Sequence, residues 1–245
     1  IPLFSIKEVK SIAKSKTGTK IKFKPSTEIF KEHKFDWNFI FKYLQELCFL
    51  NEIEIHFSSE INEKKHIFPK ESNIKDYVRY LDDKNISKTI HYFEEKNKIS
   101  VEIALSWNAN YSEKIYCFTN NIRQKDGGEH LAGFKMGLTK AVIKYMKSNT
   151  KTENIKGEDI REGLTCVLSL KMPRPEFSSQ TKDKLVSDNI RAFVVKATYE
   201  KIYDYLLENP HEAKIITEKI LQATNAREAA QKARNLTRRK DPLDI

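Results

Sequence analysis

A strict alternation of apolar residues constrains the fold more than any other feature of this sequence. The residues that share one side of an extended chain there are Ile99, Val101, Ile103, Leu105 and Trp107. Successive side chains of a β-strand point to opposite faces, so this side must be buried in a sheet. We therefore expect a central sheet with further strands over residues 89–94, 114–119 and 163–170.

Apolar residues at three- and four-residue steps predict helices beside this sheet. The apolar face predicted for a helix over 131–147 consists of Phe134, Leu138, Val142, Tyr145 and Met146. Further helices are predicted over 37–50, with Asp36 as the N-cap, and over 74–81. The mixture of patterns predicts an α+β fold.

The first seventy residues have a weaker pattern. Residues 20–24 and 52–57 alternate and are predicted to be strands. Residues 58–72 combine charged residues, Ser, Asn and Pro without a period, so we expect a domain boundary there.

The C-terminal part has a helical pattern. One helix is predicted over 188–207, and a second begins at Pro210, a favoured first position, and runs to about Arg239. Residues 226–234 are strong helix formers without a wide apolar stripe. We therefore expect the end of this helix to project from the body as a connector between domains.

The cysteines and the N-terminal residues indicate the kind of compartment in which the protein works. Cys48, Cys117 and Cys166 are scattered among apolar neighbours, which favours a reducing compartment over disulfides or a zinc site. No apolar run is long enough to span a bilayer. The N-terminus lacks a secretory pattern and an initiator Met, so we expect the chain to start inside a longer protein.

The formal net charge of +10 admits two interpretations. It is typical of proteins that bind a polyanion such as nucleic acid. The lysines are also spread along the whole chain, as solvated surface residues would be. Both interpretations stay open from charge alone.

Two segments could carry chemistry. Asp126-Gly127-Gly128 follows a predicted strand and precedes a helix, so it is either an anion cradle or a strand-to-helix turn. Its spacing matches no phosphate-binding motif, which favours the turn. Residues 173–185 form a long polar loop. Its lysines could bind a phosphate, or they could be solvated loop residues without a ligand. The histidines, including His66, His91, His130 and His211, show no ligand spacing.

Several segments together resemble one family. Asp126–Phe134, Arg161–Leu164, Phe177–Leu185, Ala226–Ala230 and Leu236–Lys240 are similar, in order, to motifs of the ATP-operated subunits of bacterial type II DNA topoisomerases, gyrase B and topoisomerase IV. Thr17-Gly18-Thr19 and 21–23 resemble the last nucleotide-contacting motif of that family. Residues 118–122 and 205–210 favour gyrase over topoisomerase IV.

The resemblance implies a domain arrangement. Residues 1–72 would be the C-terminal part of a GHKL ATPase sandwich. Residues 73–240 would be a transducer domain of ribosomal-protein-like β-α-β fold with a left-handed crossover and a long exit helix. Residues 241–245 would begin the Toprim region. The family's general-base Glu would lie upstream of residue 1, and its magnesium-binding acidic residues downstream of residue 245.

The resemblance also implies the site residues. Lys182 would contact the γ-phosphate of ATP, with Gln180 as its companion, and Thr19 and Gly18 would lie near the nucleotide. The complete protein would use ATP and Mg²⁺ to drive DNA strand passage and supercoiling. The chain alone is expected neither to bind ATP tightly nor to hydrolyse it.

The implied partners are DNA, the gyrase A protein and a second copy of the gyrase B protein, in the cytoplasm and without a membrane. Two alternatives stay open: a non-catalytic basic DNA-binding scaffold from a truncated or split gene, and a component of topoisomerase IV. A mismatch-repair or chaperone protein of the GHKL class is disfavoured by the ordered motifs.

Overall fold

The computed structural model describes residues 18–21, 26, 28, 29, 35–51, 53–60, 63–70, 72–82, 84–149 and 154–240. The chain divides into two compact units, residues 1–40 and 41–245. Most of the strand predicted over 20–24, and the segment 241–245, lie outside the described residues. The domain boundary after residue 72 stays a prediction.

Helices and strands alternate along the chain. In order they are α1 (Trp37–Asn51), β1 (Ile55–Ser59), β2 (Lys64–Phe68), α2 (Ile74–Leu81), β3 (Ile90–Lys96), β4 (Ile99–Trp107), β5 (Lys114–Thr119), β6 (Ile122–Gln124), α3 (Glu129–Asn149), α4 (Gly157–Arg161), β7 (Leu164–Lys171), α5 (Ile190–Glu208) and α6 (Pro210–Lys240). The α+β class is therefore confirmed.

A five-stranded sheet forms the centre, in the order β3-β4-β7-β5-β6. All neighbours are antiparallel except β5 and β7, which are parallel and are joined through β6, α3 and α4. A parallel pair needs such a crossover, so the predicted β-α-β unit is present. Its left hand stays a prediction.

Two tight turns set the register of the antiparallel pairs. Asn97 and Lys98 join β3 to β4, and Asn120 and Asn121 join β5 to β6, all four with positive φ. Two-residue turns of this kind match the twist of the strands, and Asn tolerates the conformation. The short strand β6, which pattern reasoning missed, follows from the second turn.

The predicted apolar side of β4 is buried against α3, α5 and α6. Val101, Ile103, Leu105 and Trp107 join that core, and Ile99 is partly buried. The other side of the sheet is also covered, because Ala104 of β4 packs in a second cluster with residues of α1 and α2. The sheet is therefore the middle layer of the second unit.

Residues 58–72, where the sequence shows no apolar period, contain a strand. Residues 64–68 form β2, which pairs with β1. Four of its five side chains are exposed and only Phe68 is buried, so no apolar period marks the strand. Aromatic rings pack against one another at this hairpin. The centroid of the His66 ring lies 4.7 Å from that of Phe41 and 4.5 Å from that of Phe68.

Helix α1 and the cysteines agree with the sequence. Asp36 caps α1, since its carboxylate accepts bonds from the amides of Asn38 (2.8 Å) and Phe39 (3.4 Å). Cys48, Cys117 and Cys166 are free thiols in buried positions.

Candidate functional site

The loop between β7 and α5, predicted to be long and polar, is folded as a narrow hairpin. The amide of Val186 donates to the Glu176 carbonyl (2.8 Å), and the amide of Ser178 donates to the Lys184 carbonyl (3.0 Å). These two hydrogen bonds hold residues 176–186 together as a hairpin arm, called the sensor arm below. Its tip is a turn closed by the Lys182 amide and the Ser179 carbonyl (3.1 Å).

The tip of the sensor arm presents a cation. Gln180 and Thr181 are exposed, and Lys182 is half-buried with a left-handed backbone (φ 59°). Its ammonium lies 5.9 Å from the centre of the Phe177 ring and forms an ion pair with no described carboxylate. A lysine held this way keeps its charge available for an anion.

Asp126-Gly127-Gly128 holds the base of the sensor arm. The Asp126 amide donates to the Asp183 carbonyl (2.9 Å), the Leu185 amide to the Gly127 carbonyl (3.0 Å), and the Glu129 amide to the Leu185 carbonyl (3.0 Å). We call these three backbone bonds the clamp. Since the first amide of α3 is used in this way, the structure supports the strand-to-helix turn over the anion cradle.

Only glycine fits at position 128. Its φ is +135°, and a Cβ there would lie 2.2 Å from the Leu185 carbonyl oxygen. Such a backbone conformation is closed to other residues. Sequence reasoning found the glycine pair as a turn but missed that the turn pairs with the sensor arm.

Helix α3 continues from the clamp and lies against α5. Arg191 of α5 donates two hydrogen bonds to the Glu129 carboxylate, at 2.6 and 2.9 Å. Gly133 and Gly137 let the α5 backbone approach, because a Cβ would lie 2.8 Å from the Arg191 carbonyl and 2.7 Å from the Val195 carbonyl. The sensor arm, α3 and α5 thus form one connected set of elements.

His130, in the first turn of α3, is fully buried. Neither ring nitrogen has a hydrogen-bond partner among the described residues. Burial lowers the pKa of His130 from 6.5 to about 4, so the ring is neutral at pH 7. His130 is therefore a neutral residue of the core.

The four nucleotide residues implied by the family fall in different units. Gln180 and Lys182 share the tip of the sensor arm in the second unit. Gly18 and Thr19 belong to the first unit, where both are exposed and lie outside helices and strands.

Metal and membrane sites are absent from the part of the chain that the structure describes. No group of three His, Cys, Asp or Glu side chains in that part is placed to hold a metal ion. Its helices also include none with the length and apolar character needed to cross a membrane.

Comparison with known proteins gives a consistent result. The sequence profile of DNA gyrase B matches residues 73–236. The DNA gyrase B protein of Rickettsia bellii is 46% identical over 241 residues, covering 94% of this chain and 30% of that protein. The gyrase B protein of Campylobacter jejuni is 42% identical, covering 98% and 32%. The chain thus spans about a third of the length of these relatives.

Solved structures agree in fold. The 43K ATPase domain of Thermus thermophilus gyrase B, crystallised with an aminocoumarin, superposes with a TM-score of 0.76 at 31% identity, covering 87% of this chain and 60% of that one. A topoisomerase IV ATP-binding domain from Francisella tularensis has a TM-score of 0.71, covering 83% and 57%, and at 24% identity shows the fold alone. With the profile match over residues 73–236, these findings show that the chain belongs to the DNA gyrase B family.

Proposed function

We propose that this chain is the part of an ATP-operated type II DNA topoisomerase that senses the nucleotide and passes its state toward the DNA-cleaving region. The observation that supports this most directly is the Lys182 ammonium at the tip of a clamped arm, where it pairs with no described carboxylate. The reaction class that we assign is ATP-driven DNA strand passage and supercoiling, and membership of the gyrase B family supports it.

Lys182 suits the role of a γ-phosphate sensor. An ammonium that faces a phosphate forms a charge-assisted hydrogen bond, about twice as strong as a neutral one. The bond exists only while the terminal phosphate is in place, so it favours one position of the sensor arm over another. A difference of about 1.4 kcal/mol changes the ratio of two positions tenfold.

This chain contains only some of the residues that would contact the nucleotide. Gln180 and Lys182 would hold the terminal phosphate, and Gly18 and Thr19 would lie near the nucleotide. ATP, bound with Mg²⁺, supplies the free energy of its hydrolysis when present. We expect the chain alone to bind ATP weakly and not to hydrolyse it, so measurable turnover by the purified chain would contradict this expectation.

The clamp would carry the displacement of the arm into the helices. Asp183 and Leu185 are bonded through backbone atoms to residues 126–129, so the arm cannot move without α3. The Glu129–Arg191 pair adds α5 to the same body. In the complete protein the partners would be DNA, the gyrase A protein and a second copy of the gyrase B protein, in the cytoplasm.

A matched pair of lysine variants tests the sensor. In the complete protein, Lys182→Ala should lower ATP turnover and supercoiling at least tenfold, because the charge-assisted bond to the phosphate is lost. Lys184→Ala removes an exposed lysine two residues away in the same arm and should stay within twofold of wild type. Unchanged ATP turnover in Lys182→Ala, with normal circular dichroism, would refute the sensor role.

One observation favours the alternative of a DNA-binding scaffold. Lys140, Lys144 and Lys147 are exposed on one side of α3, and none pairs with a described carboxylate. Binding of a short DNA duplex by the chain without nucleotide, with affinity falling steeply as salt rises, would support a direct DNA contact. An adjacent reading frame that carries the rest of the ATPase domain would favour the topoisomerase role, and its absence the scaffold.

A further inference from the structure

Helix α6 changes character halfway along its length. Ala213, Ile216, Ile220 and Ala223 are buried at three- and four-residue steps. From Ala229 to Thr237 every side chain is exposed. The helix therefore leaves the body close to Arg227, and the contacts there fix its direction.

The last contact is a forked ion pair. Arg227 donates from Nε to Asp159 Oδ1 (2.8 Å) and from Nη2 to Asp159 Oδ2 (2.9 Å). Asp159 is only 3% exposed, and Thr224 also donates to it (3.2 Å). Burial alone would raise the pKa of Asp159, but the bonds from Arg227 and its neighbours hold it below its usual value. A two-pronged pair fixes the rotation of the helix as well as its distance.

A second contact lies two turns earlier on the same side of α6. Lys219, 9% exposed, pairs with Glu162 at 3.1 Å, and its ammonium lies 5.1 Å from the Tyr111 ring centre. Asp159 and Glu162 belong to one short segment, residues 157–163, called the bracket below. The bracket includes most of the Arg161–Leu164 motif, whose role the sequence left unexplained.

The other side of the bracket holds α3. Arg161 donates to Glu113 (2.8 Å), and Glu113 also pairs with Lys135 of α3 (2.5 Å). Burial would raise the pKa of Glu113, but Lys135 and Arg161 together lower it. The bracket is thus linked both to the helix that the clamp ties to the sensor arm and to the helix that leaves the body.

From this juxtaposition we infer that the bracket is the joint that transmits a displacement of α3 to α6, with Asp159 and Arg161 as positioning residues. The inference rests on the proposed function, because it names the route by which the nucleotide state reaches the exit helix. The helix continues from Arg227 to Lys240, which at 1.5 Å per residue is about 20 Å. A rotation of about 10° at the joint would move its end by roughly 3 Å.

The first experiment measures coupling in the complete protein assembled with its partner chains. Asp159→Asn should lower the DNA supercoiled per ATP hydrolysed at least fivefold, while ATP turnover stays within twofold, because the sensor arm is untouched. Asp159→Glu keeps the charge and should recover part of the ratio. The matched control is Arg234→Gln, which removes a charge from the exposed part of the same helix and should leave the ratio unchanged.

Equal losses of ATP turnover and supercoiling in Asp159→Asn would mean that the pair only holds the fold, and would overturn the joint. If that variant does not fold, Arg227→Lys takes its place, since it keeps the charge and removes one prong. An unchanged ratio in Arg227→Lys would overturn the inference equally.

A second experiment needs no ATP, so it separates failure of the joint from failure of the proposed function. Spin labels on Ser148→Cys and Asn235→Cys report the distance between α3 and the exit helix, and the three native thiols are buried. We expect one narrow distance distribution, widened by Asp159→Asn. An unwidened distribution refutes the joint even if Lys182→Ala behaves as proposed.

Discussion

Helix α3 is attached at two places by different chemistry. At its first turn the clamp consists of three bonds between backbone amides and carbonyls. Farther along, the bracket reaches it through charged side chains, Arg161 and Lys135 on either side of Glu113. The same helix is therefore joined to the sensor arm by main-chain bonds and to the bracket by ion pairs.

The two kinds of attachment respond to different perturbations. Backbone bonds do not depend on which side chains are present, except where a glycine is required, as at position 128. Ion pairs weaken with salt, with acid and with the loss of one charged group. A rigid sensor end and an adjustable output end are what a transmitting element needs.

Substitution of Gly128, the glycine of the clamp, should lower the stability of the protein more than any other change proposed here. Gly128→Ala places a Cβ 2.2 Å from the Leu185 carbonyl oxygen at a φ of +135°. We expect a loss of about 3 kcal/mol or more in the free energy of unfolding, measured by urea denaturation. The comparison is Gly18→Ala, where a Cβ would meet nothing within 4 Å and the loss should stay below about 0.5 kcal/mol. Equal losses would show that the close approach at Gly128 is relaxed in solution.

As the pH falls, titration of His130, in the first turn of α3, should destabilise the protein before titration of the carboxylates at the bracket does. The pKa of His130 is lowered from 6.5 to about 4, so the unfolded chain binds more protons between these values and stability falls as pH falls. Between pH 7 and pH 5 the loss should be about 2 kcal/mol, from roughly 1.5 pKa units. The lowered pKa values of Asp159 and Glu113 make their contributions vanish only at lower pH, below the ordinary carboxyl range.

Urea denaturation at the two pH values, on wild type and His130→Leu, isolates this effect. Leucine cannot titrate, so that variant should lose almost nothing between pH 7 and pH 5. A wild-type protein with equal stability at both values would show that the His130 ring gains a proton or a partner in the folded state.

The sheet and the long helices followed from the sequence because their apolar residues recur with a clear period. Strands β3 and β4, helix α2 and the start of α6 at Pro210 were predicted at or close to their observed bounds. Strand β2 was missed because four of its five side chains are exposed, and β6 because it has only three residues.

The candidate site was predictable only in part. Lys182 was found from its loop and from the family resemblance, and its contact with the nucleotide stays a prediction. The clamp could not be found, since backbone bonds leave no mark on a sequence beyond the glycines. The bracket was hidden for another reason: its pairs join residues as distant as Asp159 and Arg227, and charge alone does not reveal which partners meet.

Loss of the Glu113 carboxylate, which links the bracket to α3, should destabilise the protein less than the clash at Gly128 in the clamp. Glu113→Gln leaves Lys135 and Arg161 without their shared carboxylate. Because the side chains of Glu113 and Lys135 are about a third exposed, we expect a loss of about 1 kcal/mol in the free energy of unfolding. Glu218→Gln, which breaks an exposed pair with Lys214, should change stability by less than about 0.5 kcal/mol. Equal effects in urea denaturation would place Glu113 among ordinary surface charges.

Salt should produce the smallest effect and the sharpest contrast between the two attachments. At 1 M ionic strength the screening length falls to about 3 Å, which weakens pairs that water can reach. Arg227 is about a quarter exposed, so amide hydrogen exchange in residues 224–228 should accelerate about twofold. The amides of Glu129 and Leu185 bond to carbonyls and carry no net charge, so their exchange should not change. Faster exchange in residues 224–228 and at Glu129 and Leu185 alike would mean that salt loosens the whole fold. The difference between a main-chain clamp and an ionic bracket would then have no consequence for how α3 moves.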